Sequence, residues 1–201
     1  MNRNPFLFLL IILIGISLNS FGQTDSLSVE KEKTRGAFKG FVGGLYERSS
    51  VDPGYTNSFG LQVAVILKNQ IQLGFYGVSY TSNNYRKRLI FPSAYQMNYK
   101  HAGLSLGYRT YLEKDYEFFI ESKMGLGEVK WDLMEAGSAF LSDKFILYQL
   151  QAGLDYMLAE ILALSPFIGY RWMTGLKITG LENQSFNGLY YGVTLKVGKF
   201  K

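Results

Sequence analysis

His101 and Ser105 are the residues of this chain that most resemble a reactive pair, an imidazole base near a hydroxyl nucleophile. Their spacing argues against that use. In an extended segment four residues separate the two by about 13 Å, whereas proton transfer needs roughly 3 Å. His101 is the only histidine, so a partner must come from a neighbouring segment, and no catalytic residue is expected. With no cysteine, disulfides, thiolate nucleophiles and a lipid-modified N-terminal Cys are excluded. The sequence carries no metal-ligand cluster, phosphate-binding Gly loop or nucleic-acid module, so neither cofactor, metal nor nucleic acid is expected. What remains is charge. Arg109, Glu117, Glu121, Lys123, Asp155, Arg171 and Lys196 are scattered among small and apolar residues; Arg109 and Arg171 could pair with Glu121 and Asp155. Tyr85-Arg86-Lys87-Arg88, followed by Leu89-Ile90-Phe91, sets three adjacent cations among aromatic and apolar residues. It is either a phosphate-binding patch or a solvated loop.

The elements that must position these groups follow from hydrophobic patterning. The chain has 201 residues, enough for one domain and an export segment. Hydrophobic residues are 47% and charged ones 18% of the chain, yet its mean hydropathy is balanced, so apolar and polar residues are finely interleaved. Residues 1–22 have the form of a signal peptide: Asn2-Arg3-Asn4, an apolar run from Phe6 to Ile16, then Ser17, Ser20 and Gly22. Cleavage near Gly22/Gln23 lowers the net charge from +5 to +4, Arg3 being the one charge removed. Residues 23–36 read as a flexible periplasmic segment. No later stretch approaches the roughly 20 apolar residues of a membrane-spanning helix.

From residue 37 to 200 period-two alternation recurs, predicting strands at 37–48, 57–68, 70–82, 96–112, 115–130, 144–158, 160–173 and 187–200. Leu61, Val63, Val65 and Leu67 oppose Gly60, Gln62, Ala64 and Lys68; Leu104, Leu106 and Tyr108 oppose Gly103, Ser105, Gly107 and Arg109. In the last segment Tyr191, Val193, Leu195 and Val197 oppose Gly192, Thr194, Lys196 and Gly198. Tight turns are expected at Lys68–Gln70, Glu113–Asp115 and Leu158–Glu160. Longer links are expected around Ser49–Thr56, Asn83–Tyr95, Asp132–Asp143 and Thr174–Phe186, which places all long loops at one end. On the apolar faces Phe38, Tyr108, Phe118 and Tyr156 fall near the short-turn end. Tyr46, Phe59, Tyr148, Tyr170, Trp172 and Tyr191 fall near the loop end, as two interfacial aromatic girdles would.

The pattern therefore predicts an all-β, eight-stranded, antiparallel up-and-down transmembrane β-barrel. A soluble barrel would put Lys and Glu outside and an apolar cavity inside; here the second face is Gly, Ser and ions of both signs, suited to a narrow lumen. The polar network expected there is Arg109, Glu121, Lys123, Asp155, Arg171 and Lys196. Two features depart from the pattern. Pro166 cannot donate to its ladder, so a bulge is expected. Tyr76, Val78 and Tyr80 fall out of phase, which a bulge near Gly77 or aromatic packing in the lumen would explain.

Residues 37–200, taken with the terminal Tyr190-Tyr191-Gly192-Val193-Thr194-Leu195-Lys196-Val197, resemble the small eight-stranded outer-membrane barrels typified by outer-membrane protein A. The resemblance implies location in the cell outer membrane of a Gram-negative-type bacterium. It also implies insertion by the barrel-assembly machinery, which reads such a last strand, and contact with outer-membrane lipid and lipopolysaccharide. For the latter Arg86, Lys87 and Arg88 are the candidate residues. A monomer is the default. The expected role is membrane-structural or surface-interacting, with external loops as the contact surface. The alternatives are a lipid A- or phospholipid-modifying enzyme, a small channel and, outside the membrane, a lipocalin-like carrier.

Overall fold

Alternation makes each segment a strand, and only closure leaves such a set without an unpaired edge. In the computed structural model, which describes residues 39–51, 54–87, 95–113, 115–133, 139–177 and 182–200, the closure is realised. The strands are β1 (Lys39–Val51), β2 (Gly54–Leu67), β3 (Ile71–Lys87), β4 (Tyr95–Glu113), β5 (Tyr116–Leu133), β6 (Ala139–Ala159), β7 (Leu162–Thr174) and β8 (Gly188–Lys199). One short helix, α1 (Asn183–Phe186), precedes β8. Every strand pairs antiparallel with its neighbours in sequence, and β8 returns to β1 with Lys199 opposite Gly40 and Tyr190 opposite Ser49. The segments expected to be a signal peptide and a periplasmic lead-in, with Phe38 and Arg88, lie outside the described residues.

The apolar face is the outer one. Leu61, Phe75 and Leu126 are 66%, 70% and 69% exposed, whereas Gln62, Arg109 and Lys196 are buried inside. Both aromatic girdles point outward too: Tyr108 and Tyr156 toward one end, Phe59, Tyr170, Trp172 and Tyr191 toward the other. The β2–β3 connection is a tight turn in which Gln70 N–H donates to Leu67 O at 3.1 Å. Lys68 and Asn69 both take positive φ (48° and 61°), the conformation whose twist matches a two-residue hairpin. Asn69 tolerates it, and its side chain accepts a hydrogen bond from Lys39 Nζ at 2.8 Å.

Four expectations need correction or resolution. The link expected at Ser49–Thr56 is mostly strand, since pairing continues to Val51 opposite Gly54 and leaves only residues 52 and 53 between them. Asp132–Asp143 is likewise largely ladder, with Asp132 opposite Ala139. Turn-forming residues had suggested loops there, but inward Ser49 and Thr56 bond to each other at 2.6 Å and carry the ladder upward. Pro166 causes no bulge: the β6–β7 register is the same on both sides of it, shifting only between Met157 and Ala159. The ladder lapses at Leu154 and Asp155, where a proline cannot donate, and the β7–β8 register runs on with Pro166 opposite Val193. In β3 there is no irregularity near Gly77 either; the first comes between Thr81 and Arg86. Tyr76, Val78 and Tyr80 simply point inward and are buried.

Candidate functional site

The inward residues build a filled lumen in tiers. Nearest the short turns Phe41, Ala64, Ile66, Ala163 and Phe200 cluster, with the rings of Phe41 and Phe200 stacked 6.1 Å apart. Above them sits an ionic quartet. Arg109 Nη2 meets Glu117 Oε2 at 2.5 Å and Asp155 Oδ2 at 2.6 Å, and Lys196 Nζ meets Asp155 Oδ1 at 2.7 Å. The Lys196 ammonium also lies 4.8 Å from the Phe41 ring centre and 4.5 Å from that of Phe119, an arrangement that offsets part of the lost hydration.

A second centre forms around Glu121. Gln62 and Gln72 donate to Oε1 at 2.5 and 2.8 Å, and Gln151 donates to Oε2 at 2.6 Å. Lys123 Nζ is 3.7 Å from Oε2. Beside it pack Leu45, Tyr76, Val78, Phe119, Phe167 and Tyr190, with the Tyr190 hydroxyl donating to Gln151 Oε1 at 3.0 Å. The third centre is Arg171, whose guanidinium donates to Phe186 O at 3.0 Å, Tyr99 Oη at 3.1 Å and Ser49 Oγ at 2.9 Å, with Glu47 at 3.7 Å. Because Phe186 lies on α1, Arg171 ties the β7–β8 connection into the barrel mouth. There Phe186 joins Tyr80, Met97, Tyr99, Val129, Trp131, Phe145, Leu147, Met173 and Leu176 in an apolar plug.

Among the described residues the buried charges balance: Glu47, Glu117, Glu121 and Asp155 against Arg109, Lys123, Arg171 and Lys196. Such neutrality is what a low-dielectric interior requires, since an uncompensated buried ion costs several kcal/mol. All six residues expected in the lumen are there. Of the expected pairings Arg109 with Asp155 forms, but Glu121 is held by three glutamines and Lys123 rather than by an arginine, and Arg171 takes Glu47. They form three separate centres. Glu47, Gln62, Gln72, Gln151 and Tyr99 were not picked out as site residues. Inward phase marks Gln62 and Gln151, but not which carboxylate they serve.

The rings fit because glycines face them across the strands. Gly153 stands opposite Phe119 and Gly192 opposite Phe167. A Cβ on Gly153 would come 2.7 Å from Phe119 Cζ, and one on Gly192 would come 2.6 Å from Phe167 Cζ. Each aromatic ring therefore lies against the wall where its neighbour has no side chain.

His101 is only 3% exposed and lies in the lumen. Its ring lies 5.4 Å from that of Tyr76 and 5.1 Å from that of Tyr99, and neither ring nitrogen has a hydrogen-bond partner among the described residues. Ser105 Oγ accepts from Gln62 Nε2 at 3.4 Å instead. The link expected at Asn83–Tyr95 is shorter than its residues suggest, because the backbone of Arg86 and Lys87 still belongs to β3, opposite Gln96 and Tyr95.

No protein-family model matches the chain, and no curated protein is significantly similar to it. Among solved structures, the crystal structure of Neisserial surface protein A superposes with a TM-score of 0.62 over 80% of this chain and 96% of that one, at 13% sequence identity. The N-terminal β-barrel domain of Pseudomonas aeruginosa OprF gives a TM-score of 0.54 over 80% of this chain and 96% of that one, at 10% identity.

Proposed function

Since this chain has the fold of the small eight-stranded outer-membrane barrels, we propose that it is an exported outer-membrane protein with a membrane-structural or surface-interaction role. One observation carries the reading: the residues facing away from the barrel axis form a belt of Leu, Val, Ile and aromatic side chains, while every fully buried ion faces in. A soluble protein rarely exposes an apolar patch beyond several hundred Å², whereas hydrocarbon welcomes such a belt and tolerates no unpaired strand edge. The external loops, together with Arg86 and Lys87 at the end of β3 and Arg88 after them, are the contact surface, and lipopolysaccharide phosphates are their partner. The β8 pattern serves recognition by the barrel-assembly machinery. A catalytic role finds no support in His101, wedged between tyrosines and away from Ser105. A channel finds none in a lumen filled by paired ions and rings.

The test is membrane fractionation with gel mobility of heated and unheated samples. The protein is expected in the outer-membrane fraction, soluble only in detergent, with faster migration before heating. Recovery as a detergent-free soluble protein would overturn the assignment. For the basic segment, reversing Arg86, Lys87 and Arg88 to Glu should weaken lipopolysaccharide binding; unchanged affinity would remove that part of the proposal.

A further inference from the structure

The outward face of β4, β5 and β6 changes character at one pairing row. Ala102, Leu126 and Ile146 stand side by side across the three strands, and one row nearer the loops stand Lys100, Glu128 and Lys144. The next row is Asn98, Lys130 and Ser142. Glu128 lies 3.4 Å from the ammonium of Lys100 and 3.4 Å from that of Lys130. Lys144 is exposed and makes no ion pair among the described residues. Two of the three cations thus share one carboxylate, and the group of four carries an excess of two positive charges.

Their height is as informative as their charge. Tyr148 of the loop-end girdle is paired with Met124 and Trp172 and lies two outward rows below Lys144. Four residues rise about 13 Å along a strand, or roughly 10 Å along the barrel axis at the usual tilt. Lys100 and Lys144 therefore lie beyond the aromatic ring that marks the hydrocarbon boundary, with Lys130 one row further out, in the range of depths where lipid phosphates lie. Lys100 and Lys144 are two strand spacings apart, roughly 10 Å, and their flexible four-carbon stems can converge over the gap.

We propose that Lys100, Lys130 and Lys144 hold the phosphate groups of an outer-leaflet lipid against the outside of β4–β6, with Glu128 competing for Lys100 and Lys130. This site rests on the outer-membrane reading and uses other residues than Arg86–Arg88. It faces sideways into the leaflet, so its ligand is a neighbouring lipid.

The experiment uses the full chain in phosphatidylcholine nanodiscs titrated with lipid A or with dephosphorylated lipid A, retained lipid being counted by native mass spectrometry. A lysine near an anionic surface contributes roughly a five-fold factor in affinity. Lys100→Gln/Lys130→Gln/Lys144→Gln should therefore lose about a hundred-fold, and Lys144→Gln alone about five-fold. Glu128→Gln should gain, because it frees two lysines. Dephosphorylated lipid A should be retained weakly by every form. Wild-type retention by the triple variant, or equal retention of the two lipids, overturns the proposal. If instead only an Arg86→Gln/Lys87→Gln/Arg88→Gln variant loses lipid A, that segment is the site and the row is not. Heat-modifiable mobility of each variant checks folding, and the exposed Lys144 substitution keeps the test decisive if the triple variant does not fold. A wild-type protein that needs no detergent would sink the outer-membrane reading itself, a result distinct from these.

Discussion

Replacing Asp155 by Asn removes one charge from the lumen at almost constant volume, so its cost measures how dry and how balanced the interior is. Asp155 is fully buried and holds Arg109 at 2.6 Å and Lys196 at 2.7 Å. With Glu117 these four groups sum to zero; after the substitution Arg109 and Lys196 share Glu117 alone, a net charge of +1. Two unit charges about 4 Å apart interact by about 4 kcal/mol at an effective dielectric near 20, and stripping one partner from a buried pair costs about 3–5 kcal/mol. The single variant should lose that much stability. Adding Lys196→Met restores neutrality, leaving Arg109 with Glu117, so the double variant should recover about 2–3 kcal/mol of the loss. Urea unfolding from phospholipid vesicles, followed by tryptophan fluorescence and by the unheated gel band, measures both. A loss below about 1 kcal/mol for Asp155→Asn, or a double variant as destabilised as the sum of its parts, would refute the account of a low-dielectric, charge-balanced lumen.

Three further outcomes are expected. In planar bilayers the purified wild-type protein should give no unitary conductance steps, because rings and paired ions fill its interior; reproducible single-channel openings would contradict this. Gly153→Ala should destabilise by about 1–3 kcal/mol through overpacking against the Pro166 backbone oxygen and the Phe119 ring, whereas Gly44→Ala, whose Cβ would meet nothing within 4 Å, should shift the urea midpoint little; equal effects would remove the cross-strand glycine argument. At the outer rim, partial burial pushes the Glu128 carboxyl up, but the hydrogen bonds and charges of Lys130 and Lys100 outweigh it and hold its pKa below the ordinary glutamate value. A depressed folded-state pKa gives a stabilising contribution present above the unfolded-state value and lost as pH falls through the folded one. Carbon-detected NMR titration should find Glu128 low in the wild type and raised in Lys130→Gln; an unmoved titration would break the assigned pairing.

Leu61, Leu104 and Leu195 alternate with Gln62, Ser105 and Lys196, and that alone assigns both faces, because side chains of a strand point in opposite directions by turns. The strand count, the up-and-down order and the tight turn at Lys68–Gln70 were legible for the same local reason. So was membership of Arg109, Asp155 and Lys196 in the lumen, where apolar neighbours on one phase force ions onto the other. Less legible were the strand ends. Ser49, Thr56 and the residues around Asp132 look like loop, yet they extend the ladder, since an inward hydroxyl can be satisfied by a cross-strand partner that no local pattern reveals.

Periodicity thus settled the fold and its greasy exterior, because alternation is a property of each strand by itself. Partnership was decided only by closure. Glu121 is served by Gln62, Gln72 and Gln151, and Arg171 by Glu47, Ser49 and Tyr99, from strands that meet across the lumen; Lys100, Glu128 and Lys144 share a row only because β4, β5 and β6 pair in that register. Shear and stagger are collective quantities of the whole barrel, and a one-residue slip would have exchanged every one of these neighbours.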